Sequence, residues 1–189
     1  MSASRISGAI IVPHPPIIIP TVGRGREQEV QATVAAYRAA AQQVAAWNPE
    51  VLIVTSPHCV MYSDYFHISP GKGASGDMSA FGAPQTRLTV EYDGELRDEL
   101  IRQVEKVGIQ AGTLGERDPS LDHGAFLPMY FLREAGVNCP ILRIGLSGFS
   151  PLEHYRMGWC IAKAADKLGR RTVFVASGDL SHKLKDDGP

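Results

Sequence analysis

Val51–His58 reads VLIVTSPH. Four apolar residues run unbroken into Thr55, Ser56, Pro57 and a histidine. A short continuous apolar run bounded by turn residues predicts a strand buried on both faces, the environment of a parallel sheet. Proline has no N–H to give to a ladder, so Pro57 ends the strand. His58 then stands just past the strand's C-terminal end, the edge at which open α/β sheets bind ligands. The pattern recurs in Gly8–His14 (GAIIVPH) and in Thr172–His182 (TVFVASGDLSH), where Asp179 and His182 follow the strand. Three predicted strands thus deliver histidines to one edge.

Between these runs the chain alternates strand and helix patterns. Arg26 to Trp47 carries Val30, Val34, Tyr37, Ala41, Val44 and Trp47 at spacings of three and four, which predicts a helix stopped by Asn48-Pro49. Ile17–Val22, flanked by prolines, reads as a packed loop. Tyr62–Ser69 and Arg87–Tyr92 read as strands, and Pro70 to Phe81, rich in Gly and Ser, as a mobile connection placed to serve as a lid or as plain exposed loop. Glu95–Val107 is a helix with Leu96, Leu100, Ile101 and Val104 inward, and Ile109–Leu114 a short strand. Asp118–Gly124 turns into an apolar helix, Ala125–Ala135, with Pro128 assigned to its first turn and Gly136 as C-cap. Pro140–Leu146 is another buried strand. Ser150 caps a helix running to Leu168, with Glu153 at the capping-box position. The alternation predicts an α/β fold, one domain over residues 1–189 with a mainly parallel central sheet flanked by helices.

Composition narrows the function. A length of 189 residues suits one domain, and a formal net charge of −1 without clustered Lys or Arg argues against a nucleic-acid partner. No apolar run is long enough to span a membrane. Cys59, Cys139 and Cys160 form no CxxC pair, which fits a reducing cytoplasm. The sequence stops soon after its richest histidine motif, and the expectation is a domain truncated at its C-terminus.

Two neutral imidazoles and a carboxylate form the facial ligand set of non-heme Fe(II) oxygenases. His14 and His58 suit the imidazole pair, and the alternative is two polar histidines at a sheet edge. Asp64 or Asp122 is available as a carboxylate, and spacing selects neither. Asp122-His123-Gly124 puts His123 near a helix N-terminus, whose positive end favours a neutral ring. There His123 is a substrate contact, or a bystander to a capping Asp122. Asp179 and His182 are three apart, which suits an acid/base pair on one helical turn or a capped, solvated terminus. His67 and His154 read as structural or surface residues, and Cys59 as a small buried residue rather than a soft ligand.

Together PHPP at His14, SPH at His58, LDHG at His123 and SGDLSH at His182 resemble, in order and over essentially the whole chain, the class III extradiol ring-cleavage dioxygenases, the superfamily of the LigB-type catalytic subunit. The subgroup most similar is the LigB-like AmmeMemoRadiSam proteins, with Memo-like relatives. The resemblance implies a LigB-like fold, Fe(II) held by His14 and His58 (zinc or manganese being alternatives), His123 against substrate or oxygen, and His182 as acid/base. In Memo-like relatives the positions of Asp179 and His182 also line the metal pocket. It implies a third ligand, a Glu, beyond the last matched motif, and a two-histidine site without it binds iron weakly. It also implies O2 and a small aromatic diol as partners, and association into homo-oligomers. Three functions follow as expectations: extradiol cleavage of a catechol-type ring, a Memo-like metal- or partner-binding role without ring cleavage, and a zinc-dependent hydrolase.

Overall fold

Alternation along Val51–Ser56 sets the architecture. Leu52 and Val54 enter one apolar core while Val51 and Ile53 enter another on the opposite face, and all four are fully buried. A strand inaccessible from both sides requires helices on both sides. The computed structural model describes residues 5–178 and shows that arrangement.

The elements in order are β1 (Ile6–Val12), α1 (Pro20–Gly23), α2 (Gln31–Ala46), β2 (Val51–Ser56), β3 (Phe66–His67), β4 (Gly73–Met78), β5 (Ala83–Glu91), α3 (Gly94–Lys106), β6 (Ala111–Gly112), α4 (His123–Glu134), β7 (Ile141–Gly145), α5 (Pro151–Leu168) and β8 (Thr172–Ser177). The main sheet has the order β1-β8-β2-β7, and every pairing in it is parallel. One core holds Val34, Tyr37 and Val44 of α2 with Phe126 and Phe131 of α4, and the other holds Leu96 and Leu100 of α3 with Met157 and Ile161 of α5. The register aligns the C-terminal ends: Val12 lies opposite Ser177, Thr55 opposite Ala176, and Ser56 opposite Gly145. The single α/β domain with a parallel central sheet is as expected.

Several local expectations are corrected. Residues 70–81 are no loose lid, because β4 pairs antiparallel with β5 and a 3-10 turn (Ser79–Phe81) joins them. The glycines there serve close approach: a Cβ at Gly73 would overlap the carbonyl of Val90, and one at Gly76 the carbonyl of Leu121. Only Phe66–His67 of the 62–69 run is strand, paired with Ala111–Gly112 as a minor parallel sheet. Ile17–Val22 folds into a 3-10 turn and the one-turn α1, with Ile18 and Ile19 buried completely. The helix expected from Arg26 is 3-10 to Val30 before α2 begins. Pro128 is the sixth residue of α4, in its second turn, where Gly124's carbonyl loses its helical partner. Ser150 caps α5 through the N–H of Glu153, while the Glu153 carboxylate pairs with Arg156 (2.8 Å).

Candidate metal centre

Strand alternation that buries Leu52 and Val54 toward α4 sends Ser56 the same way, and likewise Ser177 with Val173 and Val175. These two serines stand at the sheet's C-terminal edge and receive the histidines that follow β1 and β2. His14, 3 % exposed, is held by Ser177, with Nδ1 3.0 Å from its Oγ. That leaves Nε2 to face His58, whose own Nε2 lies 3.0 Å away. The Ser56 hydroxyl accepts the backbone N–H of His58 (3.1 Å) and donates to Oδ1 of Asp122 (2.5 Å).

The same Asp122 oxygen caps α4 by accepting the N–H of Ala125 (3.0 Å). His123 is therefore the first residue of a capped helix, aimed at the other two rings. Its ring centroid lies 4.0 Å from that of His58 and 5.5 Å from that of His14. One ligand atom from each histidine can be chosen so that all lie within 4.8 Å of one another. The tip of the β4–β5 hairpin closes the group, with Phe81 edge-on to His123 at 5.2 Å. Gly124 allows this convergence: a Cβ there would overlap Ser56 Oγ and come to 3.1 Å of both Asp122 Oδ1 and His58 Cδ2.

The chain matches the model of the LigB family, the catalytic LigB subunit of aromatic ring-opening dioxygenase, over residues 8–189. It belongs to the LigB family. A protein of Clostridium acetobutylicum is 33 % identical over 97 % of this chain and 41 % of its own length. A 2,3-dihydroxyphenylpropionate/2,3-dihydroxicinnamic acid 1,2-dioxygenase of Escherichia coli is 28 % identical over 82 % of this chain and 49 % of its own. The chain thus spans about half the length of the curated relatives it matches. The crystal structure of an uncharacterised protein from Escherichia coli K12 shares the fold, with a TM-score of 0.50 and 18 % identity over 80 % of this chain and 57 % of that one.

Against this LigB background, three of the four histidine motifs converge on one point. His182, with Asp179, lies outside the described residues. Asp122 acts as the helix cap, its Oδ1 engaged by Ser56 and Ala125, and is not among the metal-capable group. Asp64 is exposed in a loop and also stands apart from that group. Cys59 donates to the Ser56 carbonyl (3.1 Å), and burial, reinforced by the charge of Asp122, pushes its thiol up to about 11, which disfavours the thiolate a metal needs. His67 is a buried structural residue between the Leu114 carbonyl (3.0 Å) and Glu116 (3.2 Å). His154 bonds the Ser150 carbonyl (3.1 Å) and packs against Phe66. Ser56, Ser177 and Phe81 escaped the sequence reading. For the serines a signal existed, because each continues the buried parity of its strand. Phe81 had none, since its role depends on the hairpin. No helix among the described residues is long and apolar enough to cross a membrane.

Proposed function

We propose that this protein is a non-heme Fe(II)-dependent, extradiol-type dioxygenase that opens a catechol-type ring with O2, within the family to which it belongs. The observation that supports this most is the convergence of His14, His58 and His123 at the C-terminal edge of a parallel sheet. The donor chemistry fits the metal. Imidazole nitrogens suit iron, as they suit zinc, and the hydrogen bond between His14 Nδ1 and the Ser177 hydroxyl fixes that ring as outer partners fix metal-binding histidines.

In this reading His14 and His58 hold the ion, and the expected Glu beyond the matched motifs completes the set. Bound Fe(II) supplies Lewis-acid polarisation and a template for the diol and O2. His123, fixed on the capped end of α4, contacts substrate or oxygen. His182 takes a hydroxyl proton from the diol and returns a proton later. Phe81 packs edge-on against His123 from the hairpin side.

A second reading is a Memo-like metal- or partner-binding protein without ring cleavage, which the same three-histidine group also fits. Anaerobic loading with Fe(II) followed by oxygen uptake with catechols separates the two. Iron bound in a His58-dependent manner together with diol-dependent uptake supports the dioxygenase. His58-dependent iron without uptake supports the second reading. Iron uptake unchanged by His58→Ala would refute the dioxygenase and favour a partner-binding role.

A further inference from the structure

The segment 113–122 that leads into His123 has no regular secondary structure, yet its end sets the position of one ring and, through Ser56, of another. His67, Tyr62 and Tyr65 hold its first half, and Arg143 reaches from Glu116 to its end at Asp122. Arg143 of β7 is 2 % exposed and shares the face of Ile141, toward α4. Its Nε donates to Ser69 Oγ (2.7 Å) and its Nη1 to the Ser120 carbonyl (2.5 Å). The guanidinium also lies 3.7 Å from Glu116 Oε2 and 3.7 Å from Asp122 Oδ2. That Asp122 oxygen is buried and makes no hydrogen bond among the described residues. Arg143 is the cation paired with it there.

We infer that Arg143 is a positioning residue for the histidine centre. Its guanidinium holds Asp122 in place, so that one carboxylate can both cap the helix bearing His123 and hold the serine that receives the His58 N–H. Arg143 acts on the centre through Ser69, Ser120, Glu116 and Asp122. A planar fork suits this task, because one group must reach Ser69, Ser120, Glu116 and Asp122 at once. The inference adds a residue to the metal site of the proposed function, but it rests on geometry that is present without metal.

Arg143→Met, Arg143→Lys, Asp122→Asn and the Arg143→Met/Asp122→Asn pair test it, each checked first for a cooperative unfolding transition. Asn keeps the helix cap while removing the charge. In the metal-free proteins, the imidazole C–H resonances of His58 and His123 are expected to shift or broaden in Arg143→Met, while those of His154 stay in place. Fe(II) affinity, measured anaerobically by competition with a chelator, is expected to fall about 10–100-fold in Arg143→Met, the usual effect of losing an outer support. Arg143→Lys is expected to recover part of that loss. In the Asp122→Asn background, Arg143→Met should add less than about a threefold further effect, since coupled residues are non-additive. Unmoved His58 and His123 resonances in a folded Arg143→Met or, if that variant does not fold, in Arg143→Lys, overturn the inference. So does a full effect of Arg143→Met in Asp122→Asn. If the parent protein binds no Fe(II), the metal reading fails while the resonances still decide the role of Arg143.

Discussion

Replacing Gly124 by alanine adds one methyl group at the point where three supports of the histidine centre meet. The new Cβ would overlap Ser56 Oγ and stand 3.1 Å from Asp122 Oδ1 and His58 Cδ2. Ser56 has to swing away, which breaks its bond to Asp122 and the one it accepts from His58. A bond to a charged partner contributes about 1.5–3 kcal/mol and a neutral one about 0.5–1.5. Alanine in a helix regains at most about 1 kcal/mol over glycine. The net destabilisation is then about 1–3 kcal/mol, or a fall in Tm of about 2–12 °C for a chain of this size. Ser56→Ala alone loses the same two bonds without any overlap. The double variant should therefore be less destabilised than the sum of the two singles by about 0.5–3 kcal/mol. Urea unfolding of the four proteins measures the cycle. Additivity within about 0.5 kcal/mol, or a Gly124→Ala protein as stable as its parent, would refute the idea that this contact sets the geometry.

Two further outcomes follow from groups away from the centre. Burial pushes the Glu99 carboxyl up, but hydrogen bonds from Lys167, Gln103 and Arg102 and the charge of Lys167 outweigh it and hold the group down to about 2, against an ordinary 4.5. A lowered folded value means that Glu99 stabilises the protein fully above about pH 4.5 and loses that contribution as pH falls toward about 2. The stability gap between the parent and Glu99→Gln, followed by urea midpoint, should shrink over that window; a gap constant from pH 6 to pH 3 contradicts it. Burial also pushes the thiols of Cys59 and Cys139 up to about 11 and raises that of fully buried Cys160. A colorimetric disulfide reagent at pH 8 should accordingly react with the native protein far more slowly than with the unfolded chain, and equal rates would show that the thiols are not held as described.

The strands of the central sheet were legible because burial on both faces leaves a mark that needs no partner: Val51–Val54 is apolar without alternation, and Pro57 marks its end. His14 and His58 were legible for the same reason, each standing at a fixed offset from such a run. Of the hairpin over residues 73–91, the second strand was legible in the alternation of Arg87–Tyr92, and the first was not. Its glycines look like turn residues in isolation and have their actual purpose only against Val90 and Leu121, which other parts of the chain supply. Asp122 was visible as a helix cap, but its link to Ser56 spans 66 positions. Arg143 sits in an otherwise apolar strand, where a single charge gives no hint of which carboxylates it meets.

The order β1-β8-β2-β7 also bears on how the protein is made. Among the described residues β1 pairs in the main sheet only with β8, and β8 lies between β1 and β2. The strands carrying His14 and His58 leave the ribosome early, yet their common neighbour is synthesised more than a hundred residues after β2. At about 5–20 residues per second, that is a wait on the order of 10 s. During it the two rings have no shared scaffold, and the hydroxyl of Ser177 that steadies His14 does not yet exist. The histidine centre therefore takes shape late, when the last strand pairs with two made long before it.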